Sequence, residues 1–466
     1  MFIRQLYTGC LSEAAYYVDS EGEAAIVDPL RDTDEYLILA EERKAEIKYI
    51  FETHFHADFV SGHLDLAKKT GAPIVYGPGT KTKFPIHLAK DGEVFHLGKI
   101  TIQAIHTPGH TLESTCFLLR DENNKPYCIF TGDTLFVGDV GRPDLSSGNL
   151  EKEELASYLF DSLQKLRQLP DNLIIYPAHG AGSSCGKNLG AENSSTIGEQ
   201  KRNNYAMLAK DREDFIREVT EGLEAPPSYF IKDARINQEG YRELEEVMKH
   251  SYYPLSVAMF KEKTGKGVWV LDTRPPEKFT GGFIPRAINI GLGGRFAEWA
   301  GMLIPYDQPV VLVTEAGEEE ETIIRMARVG FDNVEGYLEG GFDAWKKNGE
   351  KTDMIINIEP EELAMDMHFD KKLMVIDVRK PAEFADGHVK RAINMPLEEM
   401  RDPAAMAKAD DEMNMYINCQ SGYRSVIACS LLKREGFHNL HNVSGGFKKI
   451  SLTPEIRIVK EEGVLN

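Results

Sequence analysis

Two histidines two positions apart, followed by an acid two further on, stand in the run Thr53-His54-Phe55-His56-Ala57-Asp58-Phe59. All three can face one cation if the run is a tight loop leaving a strand. Three more runs of the same character follow: Thr107-Pro108-Gly109-His110-Thr111, Thr131-Gly132-Asp133-Thr134 and Tyr176-Pro177-Ala178-His179-Gly180. Imidazoles and carboxylates carried on rigid strand-end loops are what a hydrolytic or oxygen-handling metal requires.

Strands must then precede these runs, and they can be read directly. Ile47–Phe51 leads into the histidine run, Ile100–Ile105 into His110, and Tyr127–Phe130 into Asp133. Ala24–Pro29 reads as a strand ending in the acid Asp28, and Pro73–Tyr76 as a further one. Leu155, Leu159, Leu163 and Leu166 have helical spacing, predicting a helix over 151–169 that stops before Pro170. Ala225-Pro226-Pro227 marks an exit loop, with a helical tail to about residue 248.

A chain of 466 residues exceeds one core and suggests about three domains at ~150 residues each. An apolar share of 42% with 27% charged residues is that of a water-soluble globular protein. The formal charge of −20 argues against a nucleic-acid or anionic-membrane surface. No apolar run approaches the ~20 residues of a membrane span, and Met1-Phe2-Ile3-Arg4-Gln5 lacks a signal-peptide core. Six scattered cysteines (10, 116, 128, 185, 419 and 429) predict free thiols and a cytoplasmic setting.

The second strong signal is an internal repeat at an offset of 105. Val270–Arg274 through Arg286–Ile290 matches Val375–Arg379 through Arg391–Met395 without a gap, and Gly340-Gly341-Phe342 matches Gly445-Gly446-Phe447. The expected boundaries are therefore 1–248 for the metal domain, then 249–352 and 353–466 for two homologous α/β modules.

The set His54, His56, Asp58, His110, Asp133 and His179 resembles the metallo-β-lactamase superfamily, which implies an αββα sandwich. Two-metal members place a histidine directly after the acid of the first motif, where this chain has Phe59. The stretch Thr131–Asp144 resembles the persulfide dioxygenases, a mononuclear iron branch. That resemblance implies one Fe(II) on His54, His110 and Asp133, with zinc as the alternative, and His56, Asp58 and His179 around those ligands. A set of two histidines and one carboxylate leaves open positions for a persulfide and dioxygen.

The two repeats resemble rhodanese domains. The last carries Cys419-Gln420-Ser421-Gly422-Tyr423-Arg424-Ser425 ahead of an apolar helix. Backbone N–H groups and a helix N-terminus at such a loop stabilise a thiolate or a bound persulfide anion. Cys419 and Arg424 are the expected catalytic pair, and Gln420, Ser421, Gly422, Tyr423 and Ser425 the expected substrate cradle. Cys429 lies at an apolar helix position and reads as structural. In the middle module Thr314 and Glu319 stand where the last has Cys419 and Arg424, within Thr314-Glu315-Ala316-Gly317-Glu318-Glu319-Glu320-Glu321. Those glutamates repel an anionic persulfide, which predicts an inactive homologue.

Cys185 lies six residues past His179 on a Gly/Ser-rich loop, and Lys187 beside it would favour its thiolate. Cys185 is therefore either a sulfur acceptor near the metal or an incidental loop residue. Arg142, with Asp144, is expected to shape the substrate channel, while Lys187, Lys201 and Arg202 offer charges for an anionic thiol carrier. The leading expectation is an enzyme that oxidises a thiol persulfide of glutathione, coenzyme A or similar, with dioxygen, to sulfite. Sulfane sulfur would pass to or from thiosulfate at Cys419. The alternatives are a glyoxalase II-like thioester hydrolase with an appended sulfurtransferase, and a non-enzymatic sulfur relay. The sequence leaves monomer and homo-oligomer open.

Overall fold

A computed structural model describes residues 1–145 and 150–461. It divides into two compact units, residues 1–247 with 327–330 and the remainder.

The first unit is built on two six-stranded sheets. One holds β1 (Phe2–Thr8), β2 (Glu13–Ser20), β3 (Glu23–Val27), β4 (Glu46–Phe51), β5 (Ile74–Tyr76) and β6 (His87–Leu88), in that order. The other holds β7 (Val94–Leu97), β8 (Ile100–His106), β9 (Thr115–Arg120), β10 (Pro126–Gly132), β11 (Ile174–Pro177) and β12 (Ser195–Thr196), again in sequence order. Strand alternation sends neighbouring residues to opposite faces. Tyr16, Val18, Val27, Phe51, Phe117 and Phe130 pack in the core between the sheets. Tyr17, Ile26 and Ile50 instead meet the outer layer that includes helix Asp34–Arg43. Leu118 and Ile129 meet Leu159, Leu163 and Leu166 of helix Lys152–Arg167 on the other outer face. The result is the expected αββα sandwich. The helical tail runs to Ser251, and three short helices between Ile197 and Thr220 were not anticipated.

The second unit contains two parallel five-stranded sheets. The strands of the first are β13 (Pro254–Leu255), β14 (Trp269–Asp272), β15 (Ile288–Asn289), β16 (Val310–Val313) and β17 (Val334–Leu338), in the order 13-17-16-14-15. Those of the next are β18 (Ile356–Ile358), β19 (Leu373–Asp377), β21 (Ile393–Asn394), β22 (Asn414–Asn418) and β23 (Leu440–Val443), in the order 18-23-22-19-21. A separate pair joins β20 (His388–Val389) to β24 (Ile458–Val459).

The repeat holds down to individual bonds. Arg274 forks onto Asp272 and reaches the Gly282 carbonyl, as Arg379 does with Asp377 and Gly387. Arg286 and Arg391 share a positive φ of 69° and 73°, rare for a side chain of that size. Among the described residues, no helix is long and apolar enough to cross a membrane.

Candidate metal centre and thiol loop

The loops leaving β4, β8, β10 and β11 bring the expected ligands of the first unit together. One ligand atom from each of His54, His110 and Asp133 lies within 4.8 Å of the others, and all three residues are buried. Asp133 Oδ2 is 3.4 Å from His110 Nε2 and 3.7 Å from His54 Nε2. Its Oδ1 is 3.5 Å from His179 Nε2, which is also 3.5 Å from Asp58 Oδ2.

The hydrogen-bond partners fix how the imidazoles are presented. Thr53 Oγ1 donates to Asp28 Oδ2 at 2.9 Å, so it accepts from His54 Nδ1, also at 2.9 Å. His110 Nδ1 meets the Arg142 carbonyl at 2.9 Å, and His179 Nδ1 meets the Ser12 carbonyl at 3.3 Å. A carbonyl only accepts, so each ring carries its proton on Nδ1 and turns a bare Nε2 inward. Burial, followed by the neighbouring imidazoles, holds His54 far below its usual value, which keeps that lone pair free. Both Asp133 oxygens, Asp58 Oδ1 and His179 Nε2 are buried without a hydrogen-bond partner. Buried acceptors left unmade are costly, and a cation at their centre would satisfy them together. The donor set therefore fits a metal ion.

The packing leaves little slack. A Cβ on Gly141 would fall 2.1 Å from the Asp133 carbonyl and 2.8 Å from His110 Nδ1. Only glycine allows the chain to cross there and deliver the Arg142 carbonyl.

His56 has a second set of neighbours. It groups with Asp58 and His179 as a further triad of ligand-type residues, yet its Nε2 lies 3.1 Å from Asp28 Oδ1 and 3.6 Å from Glu52 Oε2. Burial disfavours its cation, but Asp28 and then Glu52 outweigh this and raise the imidazole to about 9. Asp28, Thr53 and Glu52 were not singled out as site residues. The acid ending the Ala24–Pro29 strand was their one visible signal.

Two sequence expectations are redirected. Lys187 Nζ donates to the carbonyls of Glu218 and Glu221 at the end of helix Arg212–Thr220. A lysine suits that position because the carbonyls there are otherwise unpaired, and the charge is not spent on Cys185. The Cys185 thiol is buried and groups with Asp133 and His179, and burial with Asp58 and Asp133 pushes it upward, away from thiolate. Arg142 has its guanidinium engaged by its own neighbours. It forks onto Asp144 at 2.7 Å and donates to the Ser184 and Glu224 carbonyls, so its backbone carbonyl is its contact with the ligands.

In the second unit Cys419 directly follows β22 and is buried, with Gly422 N–H donating to its Sγ at 3.1 Å. Ser425 Oγ lies 3.6 Å from that sulfur and donates to Asn442 Oδ1 at 2.7 Å. Helix Tyr423–Glu435 begins at this loop, as the anion-stabilising geometry requires. Arg424 is paired bidentately with Glu383 at 2.6 and 2.8 Å. Burial pushes the Glu383 carboxyl up, but the guanidinium outweighs it and holds it below the usual range. Gln420 accepts from Arg379 at 3.4 Å, and Tyr423 Oη donates to the Gly291 carbonyl at 2.8 Å. At the matching place in the middle module, Thr314 is buried and Glu319 accepts from Gly317 N–H.

Comparison with known proteins agrees with this architecture. The profile of the Metallo-beta-lactamase superfamily matches residues 8–179, and that of the Rhodanese-like domain matches 256–348 and 359–453. A solved metallo-beta-lactamase from Staphylococcus aureus subsp. aureus COL is 34% identical, covering 72% of this chain and 98% of its own, with a TM-score of 0.65. ETHE1 from Myxococcus xanthus is 30% identical, covering 51% and 98%, with a TM-score of 0.44. A probable hydroxyacylglutathione hydrolase of Schizosaccharomyces pombe is 33% identical over 179 residues. That match takes in 37% of this chain and 66% of the relative's own length. The chain thus belongs to the metallo-β-lactamase superfamily, with a domain of that fold followed by two rhodanese-like domains.

Proposed function

We propose that this chain oxidises a low-molecular-weight thiol persulfide to sulfite in its first domain and moves sulfane sulfur through Cys419 in its last. The observation that carries the reading is the buried set of His54, His110 and Asp133, its ligand atoms converging and both Asp133 oxygens unsatisfied, in one chain with a thiol loop at a helix N-terminus. His54, His110 and Asp133 would hold one Fe(II), with zinc the alternative. When bound, ferrous iron supplies the redox chemistry by which dioxygen oxidises a persulfide sulfur. The balance is R–S–SH + O₂ + H₂O → R–SH + SO₃²⁻ + 2 H⁺, with R glutathione, coenzyme A or a similar carrier.

The residues around the ligands divide the remaining work. Thr53, the Arg142 carbonyl and the Ser12 carbonyl hold the three imidazoles with Nε2 inward. Buried Phe59 and Phe136 put apolar surface against the cluster, Phe59 stacking on His56 and Phe136 meeting His179 edge-on. Cys185 groups with Asp133 and His179, and in this reading its thiol would receive a sulfane sulfur close to them. In the last domain the Cys419 thiolate takes sulfur from thiosulfate: one S–S bond breaks, one forms, and sulfite leaves. The middle domain carries no thiol at that position and is read as inactive.

A second reading is a hydroxyacylglutathione-hydrolase-like thioesterase with an appended sulfurtransferase. The triad His56, Asp58 and His179 favours it, since it offers ligands for a second metal, and the fission-yeast relative bears that name. Oxygen uptake with glutathione persulfide, run beside hydrolysis of an acylglutathione, separates the two. Uptake without hydrolysis supports the oxidative reading, and hydrolysis without uptake supports the other.

A further inference from the structure

A cavity of about 380 Å³ opens against the thiol loop, within the ~300–1,000 Å³ of small-molecule sites. The last domain contributes Ser421, Gly422, Tyr423 and Asn442 to its lining. Pro276, Glu277, Thr280 and Gly291 of the middle domain form the facing wall. That wall is fixed to the loop. Tyr423 Oη donates to the Gly291 carbonyl, and a Cβ on Gly294 would fall 2.5 Å from the Tyr423 ring.

Hydrogen bonds link the wall of this cavity to the sulfur. Cys419 Sγ meets Ser425 Oγ, which donates to Asn442 Oδ1. Asn442 Nδ2 donates to Asn357 Oδ1, and Asn357 Nδ2 to Thr280 Oγ1. The chain of bonds thus runs from the thiol along the cavity to the middle domain.

The charge of this cavity is the informative feature. Among the described residues no lysine, arginine or histidine lines it, and the one carboxylate that does is Glu277, exposed and with no cation against it. Arg424, the cation of the thiol loop, is occupied by Glu383. A dianion such as thiosulfate meets the backbone N–H groups of the thiol loop but no cationic side chain among the described residues, and it leaves most of the space empty. A thiol with an ammonium group finds a carboxylate for its charge and amides and hydroxyls for its polar atoms.

We infer that this cavity is the binding site for an amine-bearing small thiol, the acceptor of the sulfur held on Cys419, and that the middle domain sets acceptor specificity through Glu277. The inference rests on the reading of Cys419 as a sulfur carrier. Thiosulfate loads the residue: Cys419–S⁻ + S–SO₃²⁻ → Cys419–S–S⁻ + SO₃²⁻. In its protonated form the persulfide then delivers: Cys419–S–SH + R–S⁻ → Cys419–S⁻ + R–S–SH. In each step one S–S bond breaks and one forms, with no external oxidant or reductant.

The test uses the full chain, thiosulfate as donor, and three acceptors of similar length but different charge: cysteamine, 2-mercaptoethanol and 3-mercaptopropionate. Acceptor-dependent sulfite release gives kcat/KM for each. The readout is the ratio between acceptors within one protein, so differences in thiol acidity or overall activity cancel between variants. Glu277→Gln is expected to lower the cysteamine-to-mercaptopropionate ratio about fivefold, the worth of one partly screened ion pair. Glu277→Lys is expected to lower it further. Equal ratios in all three proteins would overturn the inference while leaving Cys419 as a sulfur carrier. Sulfite release from no acceptor in the unsubstituted chain would overturn the sulfurtransferase reading, and the inference with it.

Discussion

Replacing Thr53 with valine keeps the shape of a buried side chain and removes one oxygen. That oxygen joins Asp28 Oδ2 to His54 Nδ1, at 2.9 Å on either side. It is wedged against the end of β10, where a Cβ on Gly132 would fall 2.5 Å from it. Without it the His54 Nδ1–H has no acceptor, and the ring is free to turn or to move its proton to the face needed for the metal. Losing the partner that orients a ligating histidine costs about 10–100-fold in metal affinity, or ~1.4–2.8 kcal/mol. The metal-free protein should also lose ~1–3 kcal/mol from the stranded N–H, with Tm falling about 2–4 °C for each kcal/mol in a domain of this size. Competition with a calibrated chelator measures the first quantity and calorimetry with and without metal the second. Thr53→Ser, which keeps the hydroxyl, should restore most of the affinity. A valine variant that binds metal within twofold of the unsubstituted protein would refute the claim that Thr53 presents His54.

Four further outcomes are expected. Cys419→Ser should abolish sulfane-sulfur transfer and spare oxygen consumption; joint loss would mean the two activities are not separable. Thr314→Cys should not confer transfer activity on the middle domain, because Glu319 stands where Arg424 stands in the last; assay in the Cys419→Ser background checks this. Gly141→Ala should lower metal content, since its Cβ would collide with the Asp133 carbonyl and the His110 ring. The Glu383–Arg424 pair adds a pH dependence. A carboxylate depressed from its ordinary 4.5 contributes stability that is fully present above that value and is lost as pH falls through the lower folded-state value. Thermal unfolding on the acid side should therefore fall less steeply for Glu383→Gln.

The converging histidines and acid were legible because each sits in a short run directly after a strand, where local spacing carries the signal. The repeat was legible because its register is gapless, and the shared positive φ of Arg286 and Arg391 shows how far the likeness extends. What escaped depends on distant pairings. Asp28 reaches Thr53 because β3 lies beside β4, and nothing near Thr53 in sequence announces it. Lys187 stands two residues from Cys185, yet turns to a helix end that arrives some thirty residues later. The helices between Ile197 and Thr220 are short and polar, too brief for apolar periodicity to reveal. The place of Glu277 on a cavity wall required two domains to meet.

The proposed oxidation requires one redox metal on His54, His110 and Asp133. Its most direct test is elemental analysis of the purified chain, paired with oxygen uptake on glutathione persulfide. One iron per chain is expected, with one dioxygen consumed for each sulfite formed. Two zinc ions per chain, with acylglutathione hydrolysis and no oxygen uptake, would contradict it.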